Sequence, residues 1–168
     1  MRALERAECD AALSAGVHML LEASTMRGNA VAGFTSVRGR SHTFDVRADG
    51  YARGEANEAI ACQRGGGGLA WKGGGGALAW KGSAVRQDGR SASLTAPNGQ
   101  AQQAVLGASR LDARLEAAEV SVLEAHGTGT ALGDPIEAGA AAAQLGSPVV
   151  GGLKANAGHT ESTAGIAG

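Results

Sequence analysis

The stretch LEAHGTGTALGDPIEA, Leu123–Ala138, sets one imidazole between an apolar run and a glycine-threonine turn, and the turn runs into a helix start. The run EVSVL before it, Glu119–Leu123, reads as a buried strand. Asp134, Pro135 and Glu137 read as the helix start: a capping carboxylate, a proline at the first helical position and an acid in the first turn. The design recurs downstream. SPVVGGL, Ser147–Leu153, reads as a strand, and GHTESTAGIAG, Gly158–Gly168, carries His159 into another helix. Strand, loop, helix, repeated, is an α/β alternation. In such folds ligands gather at the loops that follow the carboxyl ends of strands, where both histidines stand.

Each histidine neighbours a glycine, Gly127 or Gly158, which allows a tight turn and close approach of a ligand to the backbone. A neutral imidazole donates one N–H and accepts at its other nitrogen. Two such donors converging on one oxygen stabilise an oxyanion or enolate. The hydroxyls of Thr128 and Thr130 offer contacts for a polar linker. The alternative reading is two hydrogen-bonded structural histidines. A closed zinc site lacks its ligands, since no cysteine or further histidine completes a set with Glu124 and His126. His18 and His42 read as structural.

Upstream, LERAECDAAL, Leu4–Leu13, is rich in helix formers and predicts a helix ended by Gly16; VHMLLEA, Val17–Ala23, then reads as a strand. Residues 24–43 are polar and broken by Gly28, Gly33 and Gly39, which predicts a long loop. Asp49-Gly50 and Asp88-Gly89 signal turns. Asn98 is placed to cap a helix over about 100–115. Residues 65–82 hold a near-repeat, GGGGLAWK then GGGGALAWK; two copies are too few for a solenoid. It is no phosphate loop either, because Lys72 and Lys81 follow Trp and precede Gly. The expectation is a flexible, poorly ordered segment.

Composition narrows the remaining classes. Lys plus Arg is 15 and Asp plus Glu is 16, for a net charge of -1, which gives no electrostatic case for nucleic acid or an anionic membrane. No apolar run approaches the ~18 residues of a membrane span. MRALERAECD has no apolar signal region, and two cysteines, Cys9 and Cys62, make no disulfide framework, so a reducing, cytoplasmic setting is expected. Glycine is 28 of 168 residues and there are five aromatics, so the core rests on Ala, Leu and Val, which bury less area each, and modest stability is expected.

LEAHGTGTALGDPIEA and KANAGHTESTAGIAG resemble the two histidine motifs of β-ketoacyl synthases of the modular polyketide synthase type. FDVRADGYARGE (Phe44–Glu55), GSAVRQDGRSASLTAPNGQAQQ (Gly82–Gln103) and ECDAALSAGV (Glu8–Val17) are similar to further segments of that family, in the same order. The resemblance implies a thiolase-like fold, layered α/β/α/β/α and incomplete in this chain, and decarboxylative Claisen condensation. In the family a cysteine takes an acyl chain from an acyl carrier protein, while two histidines assist malonyl decarboxylation and stabilise the enolate. Carried over, the catalytic pair is His126 and His159, Lys154 and Glu161 support them, and Thr128 and Thr130 contact the phosphopantetheine arm. No metal and no tightly bound cofactor is implied; the partners are the acyl carrier protein with its malonyl and acyl thioesters, and the parent domain is homodimeric.

The departures are specific. The family's nucleophile lies in an upstream Cys-Ser-Ser motif that this sequence lacks, and Cys9 aligns with a non-catalytic position. Residues 56–81 carry the glycine repeat where the family has a strand and a helix. Arg86, Ala155 and Ala157 replace the usual Asn, Ser and larger apolar residue. Residues 1–168 are therefore expected to be an internal, partial ketosynthase domain, lacking the upstream nucleophile and ending within the helix after His159. The alternatives are a catalytically silent fragment that acts by association with another chain, or a thiolase-fold relative.

Overall fold

The computed structural model describes residues 2–65, 68–73, 76–93 and 95–168. A short helix α1, Arg2–Glu5, leads into strand β1, Ala11–His18, and helix α2, Ala23–Val31. Strands β2 (Ala56–Gly65), β3 (Gly68–Gly73) and β4 (Gly76–Trp80) follow, then helix α3, Gly99–Ala113. Strand β5 (Val122–Glu124), helix α4 (Gly133–Leu145) and strand β6 (Val149–Gly151) form a β-α-β unit, closed by short helices α5 (Lys154–Ala157) and α6 (Ala164–Ala167).

There are two sheets among the described residues. One is antiparallel in the order β1-β2-β3-β4; the other is the parallel pair β5-β6, in register Val122↔Val149 to Glu124↔Gly151. A parallel pair needs a crossover, and α4 supplies it. Helix α3 packs on α4. Asn98 starts α3 as its spacing predicted, accepting from the backbone N–H of Gln100 (3.0 Å) and Ala101 (3.2 Å). Arg114, at φ 57, ends it.

Four readings are corrected. The helix expected over Leu4–Leu13 stops within its first turns, where Ala7 takes φ 58, and residues from Ala11 on are strand. Pairing with β2 decides this: Ala11↔Gln63 through His18↔Ala56 form a continuous ladder that outweighs local helix preference. Of VHMLLEA only Val17 and His18 lie in that strand. The loop expected over 24–43 contains α2, whose first turn is tied by the hydroxyls of Ser24 and Thr25 donating to Glu22. The repeat expected to be poorly ordered supplies β3 and β4, with Gly65 paired to Gly68 and Gly73 to Gly76. Cross-strand pairing, Cys62↔Trp71 to Gly65↔Gly68 and Leu69↔Trp80 to Gly73↔Gly76, makes these segments strands. Residues 66, 67, 74 and 75 lie outside the described residues.

The buried apolar set among the described residues is small: Leu4, Ala125, Ala140, Ala141 and Leu145. The buried polar side chains are more numerous, Ser41, Thr128, Asp134, Lys154, Thr160 and Thr163, and most of them surround the two histidine turns. Val122 and Val149, on the parallel pair, are 64% and 69% exposed.

Candidate active site

His126 stands two residues beyond β5, after the buried Ala125. Its backbone is gripped by the first turns of α4. The Glu137 carboxylate accepts from the N–H of His126 (2.6 Å) and of Gly127 (2.8 Å). Asp134, 3% exposed, accepts from Gly129 N–H (3.1 Å) and Thr130 N–H (3.3 Å) on one oxygen and from Phe44 N–H (2.7 Å) on the other. The helix-start carboxylate read from the sequence therefore does not cap its own helix; it knits the histidine turn to the Phe44 loop. Charge-assisted bonds of this kind are about twice as strong as neutral ones. The turn itself needs glycine: Gly129 sits at φ +78, and a Cβ there would stand 2.7 Å from His42 N.

His159 is seated differently. Its backbone N–H donates to Ala52 O (2.6 Å), and its carbonyl accepts from Gly54 N–H (2.9 Å), so residues 52–54 form its bed. The approach is close enough that a Cβ on Gly54 would meet Ala157 O at 2.3 Å. Two residues on, Glu161 donates its backbone N–H to His159 Nδ1 (3.1 Å). Nδ1 is thus the acceptor, and a neutral ring carries its proton on Nε2.

The two turns bring the imidazoles together. Their ring centroids are 5.4 Å apart with planes at 86°, and the Tyr51 ring stands edge-on to His159 at 5.0 Å. Burial, followed by the nearby His126 ring and the Lys154 charge, pushes His159 down to about 4. Burial and then Lys154 lower His126 as well, though that residue is at the exposed rim, where water screens part of the effect. Both rings are neutral at pH 7, each with one N–H to give. Lys154 is buried and its pKa is lowered by that burial, against the opposing pull of Glu124 and Glu137. A cavity of ≈ 240 Å³ opens beside His126 and Lys154, with Glu124, Leu153, Thr160 and Gly165 in its wall.

The remaining expected residues divide. Glu161 faces away from that cavity into a charge cluster. Arg53 Nε and Nη2 donate to its two oxygens at 2.7 and 3.1 Å, and His18 Nε2 lies 3.5 Å from it. The Arg53 hydrogen bonds hold the Glu161 carboxyl below its usual range. Thr128 is buried, and its hydroxyl lies 3.5 Å from that of Thr130. Thr130 Oγ1 accepts from Gly133 N–H (3.1 Å), so it also caps the start of α4. It lines a separate cavity of ≈ 410 Å³ with Phe44, Val46, Ala131 and Pro135.

Sequence reasoning missed Arg53, Tyr51 and His18. The first two lie in FDVRADGYARGE, a segment whose similarity was legible but whose role was not; His18 had no signal beyond a strand end. Among the described residues no group of three His, Cys, Asp or Glu side chains is placed to hold a metal ion, and no helix is long and apolar enough to cross a membrane.

Residues 1–63 match the N-terminal domain of β-ketoacyl synthases, and residues 79–168 match their C-terminal domain. The chain belongs to the β-ketoacyl synthase family. Residues 64–78, most of the glycine repeat, fall between the two matches. The chain is 45% identical over 181 residues to a phenolphthiocerol/phthiocerol polyketide synthase of Mycobacterium tuberculosis, covering 99% of this chain and 9% of that one. It is 42% identical over 179 residues to an erythronolide synthase of Saccharopolyspora erythraea, covering 5% of it. The ketosynthase from module 6 of the bacillaene synthase of Bacillus subtilis superposes with a TM-score of 0.88 at 29% identity, over 99% of this chain and 31% of that one. The fold is thus the thiolase-like α/β fold in part, and the ketosynthase regions of modular polyketide synthases are its relatives. The chain spans 9% and 5% of these two polyketide synthases and about a third of the solved ketosynthase.

Proposed function

We propose that residues 1–168 are the histidine-bearing part of one ketosynthase domain, and that the parent reaction is decarboxylative Claisen condensation of acyl and malonyl thioesters. The observation that carries this reading is the meeting of His126 and His159 at 5.4 Å, both neutral, with Nδ1 of His159 already taken. The malonyl thioester loses its carboxylate as CO2, and the electron pair of the broken C–C bond becomes the enolate of an acetyl thioester. His159 Nε2–H and the N–H of His126 donate to the enolate oxygen and stabilise the charge as it develops. Without an acyl acceptor the enolate takes a proton and leaves as acetyl thioester. With one, its carbon attacks the acyl carbonyl, and the thiolate that held the acyl group departs.

The second half of that sequence needs a thiol, and we place none of this chain's in the role. Cys62 lies six residues from Ala56 along β2, roughly 20 Å at ~3.3 Å per residue, and Cys9 lies near the same far end of the β1-β2 ladder. The isolated chain is therefore inactive in condensation and competent at most in decarboxylation. The thioesters arrive on the phosphopantetheine of an acyl carrier protein, with Thr128 and Thr130 along its path; Lys154 and Glu161 support the histidines. The parent domain works as a homodimer in polyketide or fatty acid biosynthesis, in the cytoplasm, in keeping with two free cysteines.

A second reading is a silent fragment that acts by association. The exposed valines of β5 and β6 favour it, since a parallel sheet is ordinarily covered on both faces. Turnover of a malonyl-pantetheine thioester by the purified chain separates the two. Release of acetyl thioester that disappears in His126→Ala and in His159→Ala supports the enzymatic reading. No release by a folded chain leaves the silent reading standing, and a β-ketoacyl product would overturn the exclusion of Cys9 and Cys62.

A further inference from the structure

The Arg53 side chain is 6% exposed and its guanidinium makes a fork with both oxygens of Glu161, at 2.7 and 3.1 Å. That geometry is the strong, orientation-fixing form of an ion pair. It acts on a residue in an unusual state. Glu161 has φ +41, a left-handed conformation that side-chain-bearing residues adopt only where their surroundings impose it. The same residue's backbone N–H is the one that bonds His159 Nδ1. Arg53 also flanks His159 directly, because its neighbours Ala52 and Gly54 take the backbone bonds of His159 and the two residues form a parallel bridge. One residue therefore fixes the histidine from behind and, through its side chain, fixes the group that sets the ring's tautomer.

We propose that Arg53 is a positioning residue for His159: by clamping the Glu161 carboxylate it holds the Glu161 N–H on Nδ1 and keeps the ring proton on Nε2, available to a reacting oxygen. This rests on His159 acting as a donor in the proposed reaction. His18, with its Nε2 3.3 Å from Arg53 Nη2, closes the cluster on its far side, so Arg53 and His18 together surround the carboxylate.

The test reads the tautomer, not turnover, so it fails or succeeds separately from the condensation reading. The full 168-residue chain is labelled with 15N-histidine, and the His159 ring nitrogens are assigned by comparison with His159→Gln. The expected spectrum shows a single tautomer with a protonated Nε2. In Arg53→Met the ratio of the Nε2–H to the Nδ1–H form should fall about fivefold, the equivalent of one ordinary hydrogen bond. Glu161→Gln should produce a smaller loss in the same direction, and the double variant should lose no more than Arg53→Met. Arg53→Lys keeps the charge but not the fork, and should fall between native and Arg53→Met; it carries the comparison if Arg53→Met does not fold. A folded Arg53→Met with the tautomer unchanged overturns the proposal, as does a native His159 protonated on Nδ1. Failure of all the Arg53 and Glu161 variants to fold overturns it too, because the pair would then hold the domain and not the ring.

Discussion

The two histidine turns look alike in sequence, but the backbone N–H of each histidine is taken from a different range. The N–H groups of the His126 turn are taken from nearby, by Glu137 and Asp134 within 11 residues of it. His159 is fixed from afar, by Ala52, Gly54 and the Arg53-Glu161 fork across 108 positions of chain. The first turn is built on a local unit of strand, loop and helix, to which the 43–50 loop adds Thr43 Oγ1 donating to Gly127 O (2.6 Å), Gly50 N–H donating to Gly129 O (2.9 Å) and Phe44 N–H donating to Asp134. The second exists only when residues 52–54 lie beneath it. The difference also extends to the rings. Glu161 N–H occupies one nitrogen of His159, whereas among the described residues nothing bonds the ring of His126. One ring is pre-set and the other is free to adapt to its ligand.

Removing either imidazole is the most severe way to break this comparison. His159→Ala and His126→Ala should each lower malonyl decarboxylation by roughly 100- to 1,000-fold, the usual cost of losing one donor to a developing oxyanion. If His126→Ala alone retained activity, the two turns would not be equivalent partners. Disturbing the bed of His159 comes next. Gly54→Ala drives a methyl to 2.3 Å from Ala157 O and should cost ~1–3 kcal/mol in urea unfolding, with His159 displaced. A cost near zero would mean that the bed is not needed. The local turn should be affected by Glu137→Gln, which weakens the charge-assisted bonds to His126 and Gly127 by about 1–2 kcal/mol. Its backbone amide shifts should change around 125–128 and not around 159.

Acid tests the same contrast. His159 titrates near 4 in the folded chain, against an ordinary histidine value of 6.5. Between these values the unfolded chain binds more protons, so stability should rise with pH through that window and fall as pH drops from about 6.5 toward 4. His159→Ala should flatten that slope in urea midpoints measured across the window. A slope unchanged by His159→Ala would assign the effect elsewhere. The smallest expected effect lies outside both turns. Asn98→Ala removes the cap of α3 and should cost about 1 kcal/mol, with decarboxylation unaffected.

What was legible follows from range. The helices α3 and α4 and the parallel strands flanking α4 were readable because caps, a proline and apolar runs act within a few residues. Both histidines were found because strand-turn-helix is itself a local pattern. The N-terminal third was misread for the complementary reason. Ala11–Gly16 has helix-forming residues, yet its partner is β2, more than 40 positions away. The glycine repeat shows the same dependence: with eight glycines in residues 65–76 and no period of two it carries no local strand signal, and its strands exist through pairing with β2 and with each other.

By itself, then, the sequence determined the α/β alternation, the family and the two imidazoles, each through residues close together in the chain. Tertiary structure alone decided that the rings meet at 5.4 Å, that burial and Lys154 keep them neutral, and that Arg53 reaches Glu161. A tautomer and a pKa are set by what surrounds a group in space, and no spacing along the chain encodes which distant residue will stand there.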